Sequence, residues 1–61
     1  MIEIGDWVFV DPEDYTAMYQ DFYGRVVGIR HNTNGEKLYT VEDQEGDCWD
    51  CPLEDLELDE S

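Results

Sequence analysis

Apolar and polar residues alternate most clearly at the start of the chain. Ile2, Ile4, Val8 and Val10 share one parity, while Glu3 and Asp6 interrupt it on and near the other side. Trp7-Val8-Phe9-Val10 is rich in strand formers, and Ile4-Gly5-Asp6 reads as a turn leading into it. Trp7 and Phe9 fall on the face opposite Val8 and Val10, which predicts a strand covered on both sides. The period then changes. Asp11 suits an N-cap, Pro12 a first helical position, and Glu13 and Asp14 the positive end of a helix dipole. Tyr15, Met18, Tyr19 and Phe22 recur at i, i+3, i+4 and i+7, one face of a helical turn that Gly24 can stop. A long loop joining two strands is the alternative for this segment.

From Gly24 the alternation returns. Gly24 to His31 predicts a strand in which Gly28 marks a bulge, letting Val26 and Ile29 both face inward. Asn34-Gly35, able to adopt positive φ, is the strongest hairpin signal in the chain. Lys37 to Asp43 follows as a strand with Leu38 and Thr40 on one face and Tyr39 and Val41 on the other. A second turn, Gln44 to Asp47, leads to a strand Cys48 to Cys51 that Pro52 ends. Pro52 to Leu58 reads as a short 3₁₀ turn with a last strand, or as a helical turn, with Leu56 and Leu58 sealing the core.

Five short strands at this spacing predict a single all-β domain over residues 1–61, a small barrel or meander. The segments Gly5-Asp6-Trp7-Val8, Gly24-Arg25-Val26-Val27-Gly28-Ile29, Tyr39-Thr40-Val41 and Pro52 through Leu58 resemble the SH3-like barrels of the KOW, Tudor and small phage or bacterial types. That resemblance implies a five-stranded SH3-like barrel with a long, partly helical first loop. The chain departs from nucleic-acid-binding KOW domains by lacking their basic surface. Fold alone does not fix function in so widely reused a barrel.

At 61 residues the core must be thin, since a chain this short buries only about 60% of the surface it exposes when unfolded. The charge alters the picture more. Seventeen acids against three bases give a net charge of −14, which opposes direct binding to nucleic acid, where Lys and Arg must neutralise phosphates. Anionic membranes are disfavoured for the same reason. The natural complement is a basic protein surface or divalent cations. The N-terminus lacks a positive n-region and no segment approaches the ~20 apolar residues of a membrane span, so the expectation is a cytoplasmic protein with reduced thiols.

Cys48-x-x-Cys51 invites a metal or redox reading. The available ligands are Cys48, Cys51 and His31, one short of a structural zinc set. Asp47, Asp50 and Glu54 surround the thiols with negative charge, the reverse of an activated redox pair. Residues three apart in a strand point to opposite faces, which predicts one core cysteine and one surface thiol. His31 has no nucleophile near it in sequence, and seventeen scattered acids do not make a catalytic dyad, so no cofactor and no enzymatic activity are expected.

The aromatics Trp7, Tyr15, Tyr19, Phe22, Tyr23 and Trp49 exceed what so small a core needs, and rings beside carboxylates attract cations. The expected partner-binding set is Asp14, Tyr15, Tyr19, Asp21, Asp47, Trp49, Asp50, Glu54 and Asp55. The charge also lies beyond the magnitude of roughly 2–8 that suits a small soluble domain. In composition and size the chain is similar to small acidic phage-encoded inhibitors that imitate the phosphate array of DNA, which implies a nucleic-acid-binding protein as the basic partner. Two other readings stand beside it. One is a zinc-stabilised domain using Cys48, Cys51 and His31. The other is a Tudor-like reader of cationic side chains, with Trp7, Tyr39 or Trp49 in its cage.

Overall fold

The computed structural model describes residues 2–12 and 20–59. Five strands form one antiparallel sheet: β1 (Trp7–Val10), β2 (Phe22–His31), β3 (Lys37–Glu42), β4 (Cys48–Pro52) and β5 (Leu56–Leu58). Their order is β4-β3-β2-β1-β5. The first and last strands are therefore neighbours, with Val8 opposite Leu58 and Val10 opposite Leu56. A 3₁₀ turn, η1 (Leu53–Asp55), makes the corner between β4 and β5. This settles the closing segment as 3₁₀ turn plus strand. Among the described residues no pairing joins β4 to β5, so the sheet is curled but open, and no helix is long and apolar enough to cross a membrane.

The strand alternation holds where hydrogen bonds enforce it. Val8 and Val10 face inward and are buried, while Trp7 and Phe9 face outward and stay about half exposed, at 47% and 46%. β1 is thus covered on one side rather than on both. Tyr39 and Val41 face inward from β3 and Cys51 from β4. Together with Ile2 and Val26 they form the core, against which Phe22, Ile29, Trp49, Leu56 and Leu58 pack partly buried. The bulge lies between Val26 and Gly28, and it does turn Val26 and Ile29 to the same inner side. The parity before β1 breaks, because Asp6 N–H donates to the Glu3 carbonyl and Gly5 takes φ +99°. Ile2 is buried as a result, but Ile4 is 61% exposed.

The helical reading of 11–23 falls largely on residues 13–19, outside the described residues, and with it Asp14, Tyr15, Met18 and Tyr19. Its last members are not helical. Phe22 opens β2, and Gly24 lies within the strand as a steric necessity rather than a helix stop. A Cβ on Gly24 would run into the Glu42 carbonyl oxygen and stand 2.8 Å from Val41 Cγ1. One of these contacts is backbone, so no rotamer change relieves it. Gly28 is different, with its nearest would-be neighbour at 3.7 Å.

Gly24→Ala is expected to destabilise the domain by roughly 2–3 kcal/mol, the upper range for overpacking. Gly28→Ala is expected to stay within about 1 kcal/mol of wild type. Urea unfolding of the two variants checks both.

Candidate functional site

Two turns of the same construction join β2 to β3 and β3 to β4. In Asn32-Thr33-Asn34-Gly35-Glu36, the Asn32 side-chain oxygen accepts from the N–H groups of Asn34 and Glu36, both at 2.9 Å. In Asp43-Gln44-Glu45-Gly46-Asp47, one Asp43 carboxylate oxygen accepts from Glu45 N–H at 2.8 Å and Asp47 N–H at 3.0 Å. Each turn places its glycine at positive φ, +80° for Gly35 and +90° for Gly46. No other residue type among the described residues adopts it, so Asn34 does not form the two-residue turn that Asn34-Gly35 suggests. The Asx side chain builds the loop, as short acceptors on Asn and Asp do.

The difference between the turns is chemical. Asn32 has one acceptor oxygen, whereas Asp43 has a second, and it accepts the Trp49 indole N–H at 3.1 Å. The carboxylate of Asp43 is held below the usual range, first by this indole bond; burial opposes it by less than that bond contributes, and each turn N–H adds a smaller lowering effect. Asp43 thereby fixes the ring of Trp49, which reaches it from β4 on the inner face.

Beside this turn lies an open groove of about 640 Å³ between the start of β2 and the β3–β4 turn, lined by Asp21, Phe22, Tyr23, Asp43, Glu45 and Trp49, with Gln20 and Gln44 completing it. The groove sets aromatic rings among carboxylates. A cationic side chain is the guest that such a lining suits, through direct charge and through the ring faces. A second cleft, of about 410 Å³, shares Asp21 and Phe22 and adds Phe9, Asp11 and Glu57. Tyr23 donates its hydroxyl to Asp59 at 2.7 Å, and this bond raises its pKa.

The expected partner-binding residues are sorted by this geometry. Asp21 and Trp49 meet in the groove, and Asp47 belongs to the turn that frames it. Asp50 does not join them: it alternates to the outer face of β4, accepts from Thr40 Oγ1 at 2.6 Å and lies 3.7 Å from Arg30. Glu54 is exposed on η1. Asp55 is set apart from the groove, being 9% exposed within the corner where its carbonyl accepts Asp11 N–H. Asp14, Tyr15 and Tyr19 lie outside the described residues. Asp43 and Glu45 were missed, while Phe22 and Tyr23 stood out only as surplus aromatics. A signal for Asp43 existed, since Asp43-x-x-Gly-Asp repeats the spacing of Asn32-x-x-Gly-Glu at the end of a predicted strand.

The ligand trio does not converge. Cys51 is fully buried on the inner face and Cys48 exposed on the outer one, as strand geometry predicts. Cys48 pairs with Glu42 at one end of β3 and His31 with Lys37 at the other, a separation of roughly 17 Å at strand rise. Of the three cage candidates, Trp49 lines the groove, Trp7 faces outward, and Tyr39 is buried beneath Lys37, whose ammonium lies 5.3 Å from the ring centroid. Among the described residues Asp43, Glu45 and Asp47 do bring carboxylate oxygens within 4.8 Å of one another. Both oxygens of Asp43 are already engaged by the turn and the indole, so the trio is first of all a turn.

Two outcomes follow from these contacts. A native-state thiol reagent should label Cys48 alone, with Cys51 reacting only as the domain opens; Cys48→Ser should remove the fast phase. Asp43→Asn should keep the turn, as Asn32 does, but lose the indole bond. Because the folded pKa of Asp43 is lowered, its contribution is present above the unfolded value of about 3.9 and is lost as pH falls through the lower folded value. The stability difference between wild type and Asp43→Asn should therefore vanish in acid, with the Trp49 indole proton resonance moving in step.

No protein-family model, curated protein or solved structure matches this chain, so what the site binds follows from its own chemistry.

Proposed function

We propose that the chain is a non-enzymatic interaction module that binds a basic partner protein, with the groove beside Asp43 and Trp49 receiving a cationic side chain. The observation that carries this reading is the groove itself, where Asp21, Asp43 and Glu45 surround Phe22 and Trp49. The net charge of −14 supports it, since a field of that size draws in cationic partners over a distance set by salt. The architecture we assign is an SH3-like barrel. It is supported by the pairing of β1 with β5 and by the 3₁₀ corner that brings β5 back to β1.

The sharpest form of the reading is phosphate mimicry, in which the acids occupy the basic groove of a nucleic-acid-binding protein. Competition separates it from simple charge attraction, because a mimic and DNA exclude each other from one site.

Proteins captured from a bacterial lysate on the immobilised chain and eluted by salt should include a basic protein whose association slows about tenfold or more from low to physiological salt. Glu45→Gln with Asp21→Asn should weaken it, and DNA should compete. Association indifferent to salt would overturn the charge reading; salt-sensitive association without DNA competition would leave the basic partner and remove the mimicry.

A further inference from the structure

The outer face of the sheet carries an aromatic cluster that the core does not use. Trp7 and Phe9 project from β1, and Tyr23 sits directly opposite Phe9 on β2. Tyr23 stacks on Trp7 with centroids 5.4 Å apart and planes within 12°, and touches Phe9 at 4.8 Å in a tilted arrangement. Its hydroxyl is tied to Asp59, the residue immediately after β5. The rings hold one another in place while Trp7 and Phe9 leave about half of their surface to solvent. Rings already ordered lose little conformational freedom when a partner covers them, and Trp and Tyr are favoured interface anchors.

The surroundings specify the occupant. Glu57 lies opposite Phe9 across β5, Asp59 holds Tyr23, and Glu42 lies opposite Arg25 across β3. The cluster is an apolar centre rimmed by carboxylates. Arg25 shows what the rings accept, its guanidinium lying 5.9 Å from the Trp7 centroid. A second copy of the chain is a poor occupant, because it would bring another −14 against the same rim.

We propose that this outer face is a docking surface for an arginine-bearing segment of the basic partner, its guanidinium groups packing on the exposed surface of Trp7 and Phe9 and reaching Glu57 and Asp59. The proposal rests on the reading of a basic partner and adds a second contact surface and the side chain it selects. The surface is continuous with the groove, since Tyr23 lines both.

The two tryptophans report on the two surfaces separately, Trp7 on the outer face and Trp49 in the groove. The labelled full chain is titrated with a short Arg-Gly repeat peptide and, in parallel, its Lys-Gly counterpart, following both indole N–H signals. The proposal expects the Trp7 signal and the Phe9 and Tyr23 amides to shift saturably, more tightly with the arginine peptide. Phe9→Thr should weaken that binding about tenfold. Glu57→Gln, which leaves every ring in place, should weaken it about threefold. Shifts confined to Trp49 overturn the outer-face proposal while the basic-partner reading stands; silence at both tryptophans overturns both. Trp7 shifts that follow the protein's own concentration instead of the peptide's make the occupant a second copy and likewise overturn it.

Discussion

The fold depends on the contact between the backbone of Gly24 and the carbonyl of Glu42. β2 serves two neighbours along its ten residues, pairing with β1 from Phe22 to Arg25 and with β3 from Arg25 to His31. Where the two pairings overlap, β3 comes so close to β2 that no Cβ fits. That approach lets Val8, Val10, Val26, Val41 and Cys51 all become fully buried without any of them being large. A centre filled by short side chains has room for few rings. Tyr39 enters it, Phe22 and Trp49 are kept at its rim, and Trp7, Phe9 and Tyr23 lie outside. The exposure of these rings is thus a consequence of how closely β3 approaches β2.

The acids are not a uniform coat. Several act as acceptors for the chain itself: Asp6 takes the Glu3 N–H, Asp43 takes two turn N–H groups and an indole, and Asp59 takes the Tyr23 hydroxyl. Each such contact gives a negative group a donor and offsets part of the mutual repulsion. The three cations are also used locally, Arg25 over Trp7, Lys37 over Tyr39 and Arg30 beside Asp50. What remains outward is carboxylate with little of the chain's own positive charge to answer it.

The strands, the bulge and the faces of Cys48 and Cys51 were legible in the sequence because each follows from a period of two residues. The exceptions had causes that no period contains. Ile4 shares parity with Val8, but the turn at Gly5 resets the phase between them. Gly24 looked like a stop signal because its real constraint, the Glu42 carbonyl, lies 18 positions away in the chain and is met only after folding. Asp55 reads as one more surface acid until the 3₁₀ corner buries it. Of the candidate site, Asp21 and Trp49 could be singled out by residue type. Their meeting with Asp43 depends on the registry of β2, β3 and β4, which spacing alone does not give.

An open sheet has two flanking strands, and here they are β4 and β5. Such strands offer unpaired backbone groups to any extended neighbour, and proteins guard them with brevity, proline and charge. β5 is three residues long and carries Glu57, while β4 carries Asp50 and finishes at Pro52. Strand addition between copies therefore meets like charge before it meets a hydrogen bond. The acidity of the chain thus guards its edges as well, and a polycation that neutralised it without covering β4 and β5 would leave two strand edges open to further pairing.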